Sequence, residues 1–448
     1  MLPSTEAHLT AALAQAQVTG RLPSVVAGVL QDGRLAWSSG RGRHVRLDAG
    51  DRPHADTQYR IGSITKTFTA ALVVQLRDEG RLDLNDPVGT HVPEGPYEDR
   101  SLRALLSHTS GMQAEPFGPW WERAPGVGYA ELVDANPASG AVLPPGRQFH
   151  YSNLAFAVLG EVVARLRECT WEEALHQRLL RPLGMHRTTY VEQSPAAQGL
   201  AVDALSATLT PEPAYDSGAM APAGQLWSTV GDLAAWMRTL ADPPADLLDA
   251  ESMHEMATVQ STSTGEDLSG GYGLGLQMTG PGPLVLVGHG GSVPGFVSAM
   301  FVDRSTGVGA VVLSNGGYGL DGTGLTRTLV DTVLEHEPAL PKEWLPTASA
   351  PDRMTELLGT WHWGHMPFVM TTDGTDLFLA STSRQKSFSF RPEGTDTYIG
   401  LTGYHTGETL RVVRHDDGTV SHLDIATFVF TRVPYDPRAL TPARAGGE

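Results

Sequence analysis

Strand-forming segments stand at both ends of the first 340 residues, and helix-forming segments fill the chain between them. Residues 24–40 predict two strands joined at an Asp-Gly turn, and residues 283–314 predict three more. Between them, apolar residues recur at helical spacing over 63–79 and 153–168. A single sheet must therefore pair strands from distant parts of the chain. Further predicted helices lie at about 4–17, 171–181 and 322–336, and long loops at 190–222 and 241–270.

A change of pattern near residue 341 predicts a second domain. Residues 341–353 form a proline-containing linker, and residues 354–448 contain short alternating segments separated by Asp-Gly and Thr-Gly turns. Such regular short strands are typical of a small all-β barrel or sandwich. The sequence therefore predicts an α+β domain over 1–340 followed by a small β domain.

The charge of the chain excludes some partners. With 32 basic and 50 acidic residues the net charge is −18, so nucleic acid and anionic membranes are poor candidates. The N-terminus has neither a basic start nor an apolar core, and no apolar run reaches about 18 residues, so we expect a cytoplasmic protein. The single cysteine, Cys169, allows no internal disulfide. The 16 histidines show no metal-ligand spacing, and we expect no metal and no cofactor.

Ser63-Ile64-Thr65-Lys66 carries the first chemical signal. Residues three apart on a helix share a face, so the Lys66 amine can lie beside the Ser63 hydroxyl and accept its proton. Lysine is rare in this chain, at three residues among 32 basic ones, which makes its position here informative. A serine helix cap followed by a surface lysine is the alternative.

Tyr151-Ser152-Asn153 opens the second strong helix. A tyrosine close to an ammonium ionises more easily, so Tyr151 could share proton transfer with Lys66, and Asn153 could donate its amide to a substrate carbonyl. The alternative is a Ser/Asn cap with a packing tyrosine.

His289-Gly290-Gly291-Ser292 follows an apolar strand. Paired glycines let a bound chain approach the strand edge, and a free backbone N–H there can complete an oxyanion hole. An ordinary glycine turn explains the segment equally well.

Taken together, these three motifs resemble those of the serine β-lactamase and penicillin-binding-protein superfamily, in its class C and D-alanyl-D-alanine carboxypeptidase branch. The resemblance covers about residues 10–340 and implies an antiparallel sheet with flanking helices and an all-α lobe, with the active site between them. The segments that carry it are YRIGSITKTFTA (59–70), GRLDLNDPV (80–88), LLSHTSGM (105–112), PPGRQFHYSNLAFAVLGEVV (144–163), RPLGM (181–185), WSTVGDLAAW (227–236) and GHGGSVPGF (288–296).

The resemblance implies a role for each motif residue. Ser63 resembles the acylated nucleophile, and Lys66 and Tyr151 resemble the proton-transfer pair. Asn153 resembles the substrate-amide contact, and the backbone N–H groups of Ser63 and Ser292 would form the oxyanion hole. His289 stands where β-lactamases usually carry lysine, which weakens the case for β-lactamase activity because a fixed cation is lost.

The C-terminal β domain is similar to the lipocalin-like domain of penicillin-binding-protein-type thioesterases, which release and cyclise nonribosomal peptides. This resemblance implies a stand-alone acyltransferase that takes a peptide from a peptidyl carrier protein onto Ser63 and closes it head to tail as a macrolactam. Arg432, in the last predicted strand, is a candidate for substrate binding. Two alternatives stay open: a cytoplasmic esterase, amidase or D-amino-acid-specific peptidase of the same superfamily, and a non-catalytic peptide-binding or sensor protein.

Overall fold

The computed structural model divides into two compact units, Met1–Ala339 and Leu340–Glu448. The structure describes residues 1–43, 52–95, 97–262, 270–279, 284–340, 343–346, 349–382, 386–436 and 438. Within these residues no helix combines the length and apolar character needed to cross a membrane.

The first unit contains eleven helices and twelve strands among the described residues. The helices are α1 (Pro3–Thr19), α2 (Thr65–Asp78), α3 (Leu102–Leu106), α4 (Tyr129–Ala135), α5 (Asn153–Arg167), α6 (Trp171–Leu175), α7 (Arg181–Leu183), α8 (Ala221–Gly224), α9 (Val230–Ala241), α10 (Ala250–Met256) and α11 (Gly322–His336). The strands are β1 (Ser24–Gln31), β2 (Arg34–Gly42), β3 (Tyr59–Arg60), β4 (Leu200–Val202), β5 (Leu209–Pro211), β6 (Trp227–Ser228), β7 (Ser261–Thr262), β8 (Gly270–Tyr272), β9 (Gln277–Thr279), β10 (Leu286–Val293), β11 (Phe296–Asp303) and β12 (Gly309–Ser314).

The central sheet joins the two ends of this unit, as the sequence predicts. Its eight strands run in the order β2-β1-β12-β11-β10-β9-β8-β7, and every pair is antiparallel. The junction is the β1–β12 pair, where Val26 lies opposite Leu313. Strand β10, which carries the HGGS motif, lies inside the sheet between β9 and β11.

Alternate side chains of the sheet belong to two separate hydrophobic cores. Val25, Ala27 and Val29 of β1 pack with α1 and α11 on one face. Val26 and Leu30 point to the opposite face and join a larger core built with α2, α5 and α9. Helices therefore cover both faces of the central sheet, which explains why the strand sequences are nearly continuous apolar runs. The expected α+β fold is confirmed for this unit.

Two segments predicted as long loops contain short regular elements. The 190–222 segment includes β4, β5 and part of α8, and the 241–270 segment includes α10 and β7. These elements are too short for a periodic pattern to reveal them. Part of the second segment, 263–269, lies outside the described residues.

The second unit is a closed antiparallel barrel of eight strands preceded by the short helix α12 (Asp352–Thr355). Every second residue of its strands points inward, and these apolar side chains, together with Trp361, form a core of their own. The predicted all-β barrel is confirmed. Its strands are β13 (Gly359–Trp363), β14 (Met366–Thr372), β15 (Leu377–Ser381), β16 (Ser387–Pro392), β17 (Thr397–Gly400), β18 (Thr409–Arg414), β19 (Val420–Ile425) and β20 (Phe428–Thr431).

Candidate active site

Ser63 lies in a tight helical turn, Gly62–Ile64, that leads directly into α2. Gly62 has a φ of +49°, a conformation that glycine adopts without steric cost. A Cβ at this position would come within 2.9 Å of the Ser292 backbone nitrogen. The turn that carries Ser63 therefore touches β10 at Ser292, the residue predicted to share the oxyanion hole.

Lys66 is fully buried on α2 and directs its amine at the serine. Its Nζ donates to Ser63 Oγ at 2.8 Å and to the Ala223 carbonyl oxygen at 2.6 Å. Burial lowers the pKa of Lys66 to about 7, although the charges of Glu115 and Glu122 oppose this shift. Near neutral pH a large fraction of the lysine is a free amine, which can accept the serine proton.

Tyr151 lies next to both residues. Its hydroxyl is hydrogen-bonded with the Ser63 side chain, and Lys66 Nζ lies 5.0 Å from the centre of its ring. The expectation that Tyr151 ionises more easily is wrong. Burial raises the pKa of its phenol, and this effect outweighs the hydrogen bond from Ser63, which lowers it. Tyr151 therefore keeps its proton, and Lys66 is the group able to accept one.

Asn153 begins α5 and is already engaged. Its Nδ2 donates to Glu115 Oε1 at 2.7 Å, and Trp121 Nε1 donates to the other oxygen of that carboxylate at 2.8 Å. Its Oδ1 is buried and has no hydrogen-bond partner among the described residues. Among the described residues the side chain thus has a buried acceptor without a partner, whereas the predicted donor group is held by Glu115.

His289 is buried on β10, and both of its ring nitrogens have partners. Nδ1 faces the Gly290 carbonyl oxygen, which can only accept, so Nδ1 carries the proton. Nε2 then accepts from the Tyr272 hydroxyl at 3.0 Å. Burial and the nearby Lys66 lower the pKa of His289 to about 3, so the imidazole is neutral at pH 7. The structure therefore gives His289 neither the fixed charge of a lysine nor a ring nitrogen without a partner.

The two glycines of the motif meet different surroundings. A Cβ at Gly291 would lie 2.0 Å from the Ile61 carbonyl oxygen, so glycine is needed for β10 to approach the turn that carries Ser63. A Cβ at Gly290 would meet nothing closer than 3.7 Å, and this residue donates its N–H to Gln277 Oε1 at 2.9 Å. The close approach of β10 to the turn that carries Ser63 explains the glycine at position 291 and does not explain the glycine at position 290.

Arg432 lies in the barrel unit, just after β20. Its guanidinium carbon lies 3.9 Å from the centre of the Trp361 ring, and its nitrogens donate to the carbonyl oxygens of Glu356, Leu358 and Thr360. These contacts tie the last strand to the beginning of the barrel. The predicted contact of Arg432 with substrate stays a prediction.

Three site residues were missed by the sequence reasoning. Glu115 holds Asn153, Tyr272 holds His289, and Glu122 acts on Lys66 through its charge. Glu115 and Glu122 lie in an irregular segment between α3 and α4, and Tyr272 lies in a short glycine-rich strand. No motif or periodicity in the sequence distinguishes them from other polar residues.

Comparison with known proteins agrees with this geometry. The Beta-lactamase family model matches residues 9–334, and a domain of unknown function (DUF7586) matches residues 350–432. Over 334 residues the chain is 28% identical to penicillin-binding protein 4 of Amycolatopsis lactamdurans, a match that covers 70% of this chain and 82% of that protein. Other curated relatives are matched over less of their length, 48% of one and 60% of another.

Two solved structures are also similar. A D-stereospecific amidohydrolase from Streptomyces superposes with a TM-score of 0.61 at 28% identity, covering 75% of this chain and 99% of that one. SurE, solved with D-Leu, superposes with a TM-score of 0.60 at 26% identity, covering 96% of this chain and all of the other. The match of the family model over most of the chain and the Ser63–Lys66–Tyr151 arrangement lead to one conclusion: the chain belongs to the β-lactamase family of serine hydrolases.

Proposed function

We propose that this protein is a stand-alone acyltransferase that accepts a peptidyl group on Ser63 and releases it as a head-to-tail macrolactam. The observation that carries the acyl-enzyme step is the 2.8 Å contact of a buried, partly neutral Lys66 amine with Ser63 Oγ. The resemblance of both units to penicillin-binding-protein-type thioesterases supports cyclisation. The superposition on SurE, which extends over 96% of the chain, is consistent with that layout.

In the first half-reaction, Ser63 Oγ attacks the carbonyl of a peptidyl thioester while Lys66 Nζ accepts its proton. The C–S bond breaks, and the leaving thiolate takes the proton from Lys66, so the amine is neutral again. The backbone N–H groups of Ser63 and Ser292 are the proposed donors to the developing oxyanion. The product is a peptidyl ester of Ser63.

In the second half-reaction, the N-terminal amine of the same peptide attacks this ester. Lys66 accepts a proton from the amine, Tyr151 relays it to Ser63 Oγ, and an amide bond replaces the ester. The hydrogen bonds around Tyr151 and Lys66 favour this relay because both groups contact the same serine oxygen. A peptidyl carrier protein is the proposed source of the thioester.

His289 is proposed as a positioning residue. A neutral, doubly hydrogen-bonded imidazole gives no charge to hold the carboxylate of a β-lactam or of a free peptide terminus. A substrate that ends in a thioester lacks that carboxylate, which agrees with the proposal.

A D-amino-acid-specific amidase or esterase is the second candidate. The observation in its favour is the similarity of the first unit to the Streptomyces D-stereospecific amidohydrolase, which covers 75% of this chain. An amidase or esterase would use the same serine, and water instead of the peptide amine would attack the acyl-enzyme. It predicts little loss of activity when residues 350–448 are deleted.

The test is to incubate the purified protein with a linear peptide whose C-terminal D-residue is an N-acetylcysteamine thioester, and to read the products by mass spectrometry. The cyclase predicts a product lighter by one water than the linear acid, absent with Ser63→Ala. Ser206→Ala, which changes an exposed serine, is the matched control. Formation of linear acid alone would favour the amidase or esterase, and the absence of any Ser63-dependent product would refute both.

A further inference from the structure

A cavity of about 310 Å³ opens beside Ser292, in the first unit. Ser292, which lines this cavity, also contacts the turn that carries Ser63. Its volume is at the lower end of the range for ligand pockets and is sufficient for one long side chain. Its lining includes Trp120, Glu122, Arg123, Glu212, Ser292 and Tyr318.

Two of the three charged side chains in the cavity neutralise each other. Arg123 Nη2 lies 2.5 Å from Glu212 Oε1, and Glu212 is only 7% exposed. The guanidinium carbon of Arg123 also lies 4.6 Å from the centre of the Trp120 ring. Arg123 is thereby held by a carboxylate and an aromatic face, and it is not free to bind an anion.

Glu122 is the third charged residue that lines the cavity. Its carboxylate accepts a hydrogen bond from Trp120 Nε1 at 2.9 Å, and among the described residues no basic side chain forms an ion pair with it. Arg60 and Lys66 act on it only through longer-range charge, and burial raises the pKa of its carboxyl. A half-buried carboxylate without a contact cation favours binding of a positively charged group.

We propose that this cavity binds a cationic side chain on the acyl residue whose carbonyl Ser63 attacks, with the ammonium group paired to Glu122. Trp120 and Tyr318, which are 58% and 42% exposed, supply walls for the methylene chain. The inference rests on the proposed function only in that Ser63 must be acylated. It names a substrate class, D-residues with a basic side chain such as lysine or ornithine.

The test compares three N-acetyl-D-aminoacyl thioesters, of D-Lys, D-norleucine and D-Glu, by the kcat/KM of thiol release. D-norleucine has the methylene chain of D-Lys and lacks its ammonium group. We expect kcat/KM about tenfold higher for D-Lys than for D-norleucine, and lowest for D-Glu. Glu122→Gln changes the ionisation of Lys66 for both substrates alike, so the ratio of their kcat/KM values should show the loss of the D-Lys advantage. Glu131→Gln, at an exposed glutamate of α4, should keep that advantage.

Glu122→Lys provides a second readout that does not depend on loss of function, because it should reverse the order and favour D-Glu. Equal rates for D-Lys and D-norleucine in the wild type, or a preference that survives in Glu122→Gln, would overturn the inference. Its failure is distinct from that of the cyclase proposal. A preference for D-Lys with linear acid as the only peptide product would support this inference and refute cyclisation. Cyclic product without a preference for D-Lys would support cyclisation and refute this inference.

Discussion

The ionisation of Lys66 leads to a quantitative expectation for the rate at which Ser63 is acylated. With a pKa of about 7, half of the Lys66 amines are neutral at pH 7, whereas an ordinary lysine at 10.5 would be neutral in only about one molecule in 3,000. If neutral Lys66 is the base, acylation should increase about tenfold between pH 6 and pH 8 and then level off.

Other groups of the site do not produce this profile. His289 has a pKa of about 3, and burial raises the pKa of Tyr151 above its usual value, so neither changes charge between pH 6 and pH 8. Glu122 has a raised pKa and affects Lys66 through its charge. The profile measured in Glu122→Gln therefore separates its contribution, and loss of that nearby negative charge should move the midpoint to lower pH.

The assay is the rate of Ser63 labelling by a fluorophosphonate, a reagent that does not itself titrate, from pH 5.5 to pH 9.5. The expected curve is sigmoidal with one midpoint near pH 7, and Lys66→Arg should abolish labelling because arginine stays protonated. Circular dichroism at each pH establishes that the protein remains folded. A rate that is independent of pH, or that still increases above pH 9, would refute the assignment of Lys66 as the base.

Three further predictions concern packing and stability. Lys66→Met should raise the free energy of unfolding by about 2 kcal/mol at pH 6 and by less at pH 9, because the unfolded chain keeps the lysine proton up to about pH 10.5 while the folded protein releases it near pH 7. Denaturant titrations at both pH values test this, and a gain that increases with pH would contradict it. Gly291→Ala should slow labelling of the nucleophile at least about hundredfold, since its methyl group would lie 2.0 Å from a carbonyl oxygen of the adjoining turn. Gly290→Ala, with its nearest contact at 3.7 Å, is the matched control, and equal rates in the two variants would be evidence against this explanation. Arg432→Ala should destabilise the barrel by about 3 kcal/mol through loss of its carbonyl hydrogen bonds and its stacking on Trp361, and calorimetry of the full chain would show no change if these contacts were unimportant.

Local patterns in the sequence predict much of the fold. The hairpin at 24–40, the strands after residue 283 and the long helices all follow from hydrophobic spacing and turn residues. The pairing of β1 with β12 follows from the need of both ends of the unit to share one sheet. Short elements such as β4 and α10 could not be predicted, because tertiary contacts decide their conformation in segments without periodicity.

The candidate site shows where local reasoning ends. The contact between Ser63 and Lys66 depends on helical spacing alone, and it could be predicted. The charge states of the site residues depend on burial and on partners that are distant in sequence, so they could not be predicted. Tyr151 keeps its proton because it is buried, and Nε2 of His289 is occupied by the hydroxyl of Tyr272 in another strand.

The pairing of β1 with β12 also sets the order in which the site can assemble during synthesis. Ser63 leaves the ribosome long before β10, yet its turn rests against Ser292, and β1 finds its sheet partner only when residues 309–314 have emerged. Non-local pairing of this kind is slow because the closure of a long loop precedes the contacts that stabilise it. A nascent chain that stops before these strands holds the nucleophile and its lysine without the strand that completes their surroundings. The proposed acylation of Ser63 therefore requires that the last strands of the first unit have joined the sheet.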